Sequence, residues 1–282
     1  MSELTVRVQK VRKNHVRTRL IIFGTLAVIL LLASFFSEYL TPCDPYLQDL
    51  SNAKAAPSAA HLLGTDRYGR DMLSRVIVGS RTSIYSTLLL VAIVTAIGTV
   101  VGVICGWRGG KWTDTILMRI SDMFLAFPGL VFALAVAGVL GGGLHNAIIA
   151  LAAISWPKYA RIARSQTLAQ KEMPYIKAAV LSGSSTVKIL TLHILPNIIG
   201  PILVTSMLDI GTMMMELAGL SFLGLGAKPP AAEWGSMMSD TRSLLTTVPW
   251  VTLAPGFAIF LSVMVFNLLG DTIRDYADPK AR

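Results

Sequence analysis

Residues 171–197 read KEMPYIKAAVLSGSSTVKILTLHILPN and stand between two long apolar stretches, 146–163 and 197–220. Pro174 suits the first turn of a helix, where its missing N–H would have no intrahelical partner, and the helix it opens runs to about Ser182. Gly183 supplies the left-handed residue that closes such a helix. Ser184 or Ser185 can cap a second helix, which ends before Pro196. The product is a tight helix-turn-helix carried by an apolar body. Its amphipathic helices fit two roles equally, an elbow lying among lipid headgroups or a knob that docks a soluble partner.

That the flanking stretches cross a bilayer follows from composition. Of 282 residues, 53% are hydrophobic and 15% charged, against roughly 25% charged in soluble domains. The apolar content excludes a disordered chain, two cysteines exclude a disulfide scaffold, and 23 Gly with 13 Pro exclude a collagen-like one. A helix needs about 20 apolar residues to cross roughly 30 Å of hydrocarbon. Six stretches come near that length: 20–36, 84–106, 116–140, 146–163, 197–220 and 251–270. The expected fold is therefore an all-α, polytopic membrane protein of six transmembrane helices. The third stretch carries Arg119, Asp122 and Pro128, which places its first turns at the interface or in a protein-lined cavity. Pro157 interrupts the fourth.

With the amino terminus inside, 18 of the 25 Lys and Arg residues fall on the inner side and 7 on the outer. Both termini are thus expected in the cytoplasm. A net charge of +9 could also signal nucleic acid, but the basic residues are spread over separate loops without interleaved aromatics, so nucleic acid is not an expected partner. The basic tail (Arg7, Lys10, Arg12, Lys13, Arg17, Arg19) and first apolar stretch have the outline of a signal peptide; no small-x-small site precedes Ser37, so the stretch is read as a retained span.

Catalytic constellations are absent from the sequence: no GxxxxGK[ST], HExxH, CxxC or GxSxG occurs. His15, His61, His145 and His193 are scattered along the chain and assemble no metal or general-base site in sequence. Cys43 and Cys105 fall near opposite faces of the bilayer and are not expected to pair. The chain is read as no enzyme, with no cofactor or metal of its own, so energy for any transport comes from a partner or an ion gradient.

One spacing is specific. Ala178 and Ala179, three residues, Gly183, nine residues, then His193, Ile194, Leu195 and Pro196 resemble the EAA loop of permease subunits in binding-protein-dependent ABC importers. The family pattern opens on Glu and has Ile ten residues after its Gly; this chain has Lys177 and His193 there, so it lacks the leading carboxylate. Three further segments are similar to the peptide and nickel branch, in its second permease. They are HLLGTDRYGRDMLSRVIVGSRTS at 61–83, LSFLGLGAKPPAAEWG at 220–235 and FNLLGDTIRDYADP at 266–279. The resemblance implies an ABC importer permease fold with an ATPase-coupling loop built on Lys177, Ala178, Ala179, Gly183, His193, Leu195 and Pro196. It also implies a prokaryotic plasma membrane location. The implied partners are a second homologous permease, two ATP-binding subunits that hold the ATP and Mg, and an extracytoplasmic substrate-binding protein. Cargo would be di- or oligopeptides, or nickel and its chelates; the segment 208–214, LDIGTMM, looks more like nickel-type members.

The expected organisation is a cytoplasmic tail (1–19), a first transmembrane helix (20–40), an extracytoplasmic loop with an amphipathic helix (41–83) and a permease core (84–282) of five transmembrane helices with its coupling loop at 165–196. In the outer loop Gly64 and Gly69 permit a tight turn, Asp66 can cap, and Met72, Leu73, Val76 and Ile77 form the apolar face of a helix bearing Arg70, Arg75 and Arg81. That helix either braces the spans or a partner permease, or meets the binding protein. Pro229, Pro230 and Trp234 suggest a rigid outer turn followed by a helix.

The fifth span holds Asp209 and Glu216, two turns apart on nearly one face, with Met213 between them. A charge inside a span costs about 2.5–3.5 kcal/mol on insertion scales and so faces a cavity or a partner. One reading makes the three a stripe along the translocation path, favouring cationic cargo. The other pairs Asp209 with a basic residue at a helix interface, sets Glu216 near the outer headgroups and leaves the methionines as packing. A secondary transporter or cation channel using these carboxylates is the rival function, and the internal repeats common in such folds are not visible.

Overall fold

The computed structural model describes residues 2–277, with side chains described from residue 16 onward. Pro279 of the carboxyl-terminal motif and the side chains of Arg7, Lys10, Arg12 and Lys13 lie outside the described residues. The first apolar stretch lies in α1 (Ser2–Phe35), followed by the single turn α2 (Ser37–Leu40).

The second lies in α3 (Met72–Trp107), whose 36 residues reach about 54 Å, well beyond the hydrocarbon thickness. Residues 72–83, expected as a separate interfacial helix, are instead the first three turns of this span: no proline interrupts the backbone, and Met72 and Arg75 are buried rather than lying on an interface. The cap differs from expectation too. Asp71 accepts the N–H of Ser74 at 2.8 Å, while Asp66 accepts the N–H groups of Tyr68 and Arg70 and pairs with the Arg70 guanidinium at 2.7 Å. Gly64 and Gly69 carry the turn at φ +68° and +74°.

The third apolar stretch is broken. α4 (Trp112–Leu125) and α5 (Gly129–Val139) meet at a bend of 93°. Pro128 accounts for it, because it offers no N–H and pushes the preceding residue out of the helical region; Pro128 itself is extended, at φ −60° and ψ 117°. The fourth stretch is part of α6 (Leu144–Lys171). After α7 (Pro174–Leu181) and α8 (Thr186–Ile189) comes a second correction: the helix does not end before Pro196. It passes through a π-helical turn, Leu190–Ile194, straight into α9 (Leu195–Leu220). A proline ring collides with the carbonyl four residues back in a regular α-helix, and the wider π turn just before Pro196 relieves that crowding.

α9 closes in a second π turn, Ser221–Leu225, and α10 (Trp234–Thr241) and α11 (Pro249–Ala277) complete the chain. No strand occurs among the described residues. Four helices are singly long and apolar enough to cross a membrane, and the bent pair raises the total to five. α6 has the length, at 28 residues, but carries Lys158, Arg161, Arg164 and Lys171.

α3 and α6 run parallel and touch along Gly98, Gly102 and Gly106. A Cβ on these glycines would strike Tyr159, the carbonyl of Ala160 and Thr167 respectively. Small residues every four positions let two backbones approach, which matters in lipid because apolar tails remove the hydrophobic drive between helices. Gly270 on α11 admits the backbone of Leu208 on α9 in the same way. One end of this body is closed by α10, with Trp234 donating its indole N–H to the Val76 carbonyl at 2.9 Å. At the other end Lys171 donates to the carbonyl of Trp107 at 2.9 Å, beside α7.

Candidate functional site

α7 stands off the body on three buried isoleucines, Ile176 on α7, Ile189 on α8 and Ile194 on the π turn. Its far end is bare: Leu181 is 89% exposed and Val180 about half exposed, and Val187 at the start of α8 is 70% exposed. The helix closes in a Schellman arrangement, Ser184 N–H to the Ala179 carbonyl at 3.1 Å and Gly183 N–H to the Val180 carbonyl at 3.0 Å, with Gly183 at φ +75°. No atom lies within 4 Å of where a Gly183 Cβ would stand, so the glycine serves backbone conformation and not internal packing. Ala178 is exposed and Ala179 half-buried. Lys177 pairs with Glu172 at 3.0 Å in solvent, a contact that contributes little. His193 is half-buried on the π turn, followed by half-buried Leu195 and exposed Pro196.

Asp209 lies 14 residues into α9, about 21 Å along it, at the depth where α6 is half traversed. Both its oxygens accept from the Lys158 ammonium at 2.7 Å and one accepts from the Tyr159 hydroxyl at 2.9 Å. The carboxylate is buried, while half of the lysine side chain is exposed. Asp209 thus has a cationic partner at a helix interface. Met213 is buried in the core, and Glu216 is half-buried with no hydrogen bond or ion pair to the described residues. Of the neighbouring methionines, Met214 is buried and Met215 exposed. A cleft of about 1260 Å³ lies elsewhere, between α1, α9 and α11, and is lined by Arg19, Met207, Asp271 and Arg274 among others.

Lys158 has company. Arg161 pairs with Asp122, and Arg164 makes a forked pair with Asp114, one arm at 2.8 Å. Three cations spaced by three residues on α6 are therefore each answered by a carboxylate on α4 or α9. Lys158 and Arg161 inside the fourth apolar stretch with Arg164 just beyond it, Asp122 in the third stretch with Asp114 just before it, and Asp209 in the fifth were the available signal. Sequence spacing could not pair them, because the bend at Pro128 decides which turns of α4 meet α6.

At the opposite end Glu233 is buried, accepts the N–H groups of Gly235 and Ser236 at 2.9 and 2.8 Å, and caps α10. Ser83 accepts the Trp234 N–H at 3.0 Å, so the 220–235 segment is bolted to α3. The expected rigid turn followed by a helix is present there.

Residues 98–282 match the family described as binding-protein-dependent transport system inner membrane component. The chain is 44% identical over 258 residues to a probable D,D-dipeptide transport system permease protein of Escherichia coli K12, covering 92% of this chain and 86% of that one. It is 42% identical to the nickel transport system permease protein of the same organism, covering 94% of each. It is 41% identical to a glutathione transport system permease protein of Pectobacterium atrosepticum, covering 96% of this chain and 90% of that one. In architecture it is similar to a methionine ABC transporter solved in an inward-facing conformation, with a TM-score of 0.56 at 18% identity over 73% of this chain and 98% of that one. These likenesses leave the secondary-transporter and channel reading without support. The chain belongs to the inner membrane components of binding-protein-dependent transport systems and is a multi-pass permease, a transport subunit and not an enzyme.

Proposed function

We propose that this permease forms half of a translocation pore with a second, homologous permease, and that two cytoplasmic ATP-binding subunits seat against the loop 165–196. ATP and Mg are bound by those subunits; a binding protein delivers cargo to the end formed by α10 and the 41–71 loop. Both termini lie in the cytoplasm and α6 is counted as the sixth span. The cargo is a short peptide or nickel, free or chelated, in keeping with what the relatives carry.

The observation that carries the reading is the tip of α7. Anchored by buried isoleucines, the end of α7 and the start of α8 offer Val180, Leu181 and Val187 to solvent, apolar side chains half or more exposed. Such a surface fits a groove on a soluble partner. Closure of the partners on ATP binding would move α7, and through the continuous helix beyond Thr186 the motion would reach α9 and the Lys158–Asp209 pair.

The test is uptake of labelled dipeptide and of nickel, with and without chelator, into vesicles holding the whole complex, comparing wild type with Leu181→Asp and Gly183→Trp. Uptake is expected to require ATP and to fall at least about tenfold in both variants, the equivalent of one lost apolar anchor, with the permease still inserted. Uptake that ignores ATP and follows an ion gradient would overturn the reading.

A further inference from the structure

Three residues far apart in sequence meet at the end of the body opposite α7. Cys43, His61 and Asp71 each bring one ligand atom, and the thiol sulfur, imidazole nitrogen and carboxylate oxygen all lie within 4.8 Å of one another. From these contacts we infer that this permease binds a divalent transition-metal ion there, as a resident clasp on the 41–71 loop. The inference does not rest on the cargo reading, since none of these residues is on α9.

The donor set is selective. Thiolate, imidazole and carboxylate together suit borderline metals such as zinc, nickel or cobalt and disfavour magnesium and calcium, which take oxygen alone. Around a tetrahedral ion with bonds of 2.0–2.3 Å, ligand atoms stand about 3.3–3.8 Å apart. His61 Nδ1 and Asp71 Oδ1 are already at 2.9 Å, joined by a hydrogen bond that the ion would replace. Closing the remaining distances needs shifts of about an ångström in side chains of which two, Cys43 and His61, are only half-buried.

Support behind the ligands is in place. The other carboxylate oxygen of Asp71 accepts from the backbone N–H of Ser74 at 2.8 Å and from its hydroxyl at 2.7 Å, which turns Oδ1 toward His61. The hydroxyl oxygen of Ser74 also accepts the backbone N–H of Cys43 at 3.1 Å. One serine thus positions two of the three ligands, the kind of outer contact that orients metal sites. Partial exposure of His61 leaves the fourth position to water. An ion held here would tie the start of the loop, its middle and the first turn of α3 together.

The assembled complex in lipid nanodiscs provides the test, with zinc as the probe and alkylation of Cys43 by a maleimide as the readout. One equivalent of zinc should slow alkylation at least about tenfold, and protection should survive gel filtration that removes free zinc. Cobalt in place of zinc should give a thiolate-to-cobalt charge-transfer band that Cys43→Ser abolishes. His61→Gln, which removes a ligand, should weaken zinc protection by more than the roughly 10–100-fold typical for loss of an outer partner, and Asp71→Asn, which keeps an acceptor for Ser74, should weaken it while α3 stays capped. Unchanged alkylation with zinc, protection equal in His61→Gln, or protection lost on gel filtration would each overturn the resident clasp.

Discussion

α6 has two working faces, and they are built on different physics. Toward α3 it meets Gly98, Gly102 and Gly106 with Tyr159, Ala160, Ala163 and Thr167, a contact of shape in which backbones nearly touch. Toward α4 and α9 it presents Lys158, Arg161 and Arg164 to three carboxylates, a contact of charge in which the basic side chains stay one-third to one-half exposed. The first cannot slide without steric collision. The second can lengthen or exchange partners at modest cost, because each long cation reaches water. A permease that alternates between states needs both, a fixed pair of helices and a seam that gives.

The sharpest way to break this contrast is to overfill the first face. Gly102→Leu drives a side chain into the Ala160 carbonyl and the Ala163 methyl, with little room to yield. We expect a loss of about 3 kcal/mol or more, near the upper end for overpacking, seen as a large fall in denaturant midpoint in detergent. A fall under 1 kcal/mol would show that the two helices move apart freely.

The second effect is on the charged seam. Asp209→Ala leaves the Tyr159 hydroxyl buried without an acceptor and Lys158 without its partner, for an expected loss of about 1–2 kcal/mol, since hydrogen bonds between membrane helices reach only about that. Lys158→Met together with Asp209→Leu should restore only the part due to the unpaired lysine, since the Tyr159 hydroxyl still lacks its acceptor, and a double-mutant cycle with the two single variants reads the coupling directly. A double variant no better than Asp209→Ala would show that the pair is held by its surroundings.

Gly183 sharpens the comparison from the side of the glycines. Its Cβ position is open, so Gly183→Ala should cost only the left-handed backbone, about 1 kcal/mol, measured as a small midpoint shift. A loss as large as for Gly102→Leu would mean that α7 is packed more closely than its exposure indicates. Smallest of all, Arg161→Ala removes a pair whose partners are 50% and 48% exposed and should change stability by about 0.5 kcal/mol or less, within the scatter of repeated melts.

Local patterns carried much of this into the sequence. Pro174 at a first turn, Gly183 at a left-handed close and Ser185 at a cap are short-range demands, and each is met where the residue types required it. The second span was drawn from apolarity alone, and the close contact that Gly98, Gly102 and Gly106 make with α6 was not read from the sequence. Boundaries read less well. Hydropathy has no means to stop α3 at the membrane surface or to see that Pro128 turns the chain through a right angle, and Pro196 suggested a helix end where a π turn lets the helix continue.

The sequence by itself determined an all-helical membrane protein with a helix-turn-helix between its fourth and fifth apolar stretches, because hydropathy, proline and glycine act over one or two helical turns; that it is a permease followed from the likeness of four segments to a known family. Only the tertiary structure decided that Asp209 belongs to Lys158 and Tyr159, that Asp71 and not Asp66 caps α3, and that Cys43 comes to rest beside His61. Those pairings depend on which turns of separate helices and loops face one another. That is set by close backbone contact and by one bend, and neither is written in the spacing of the residues concerned.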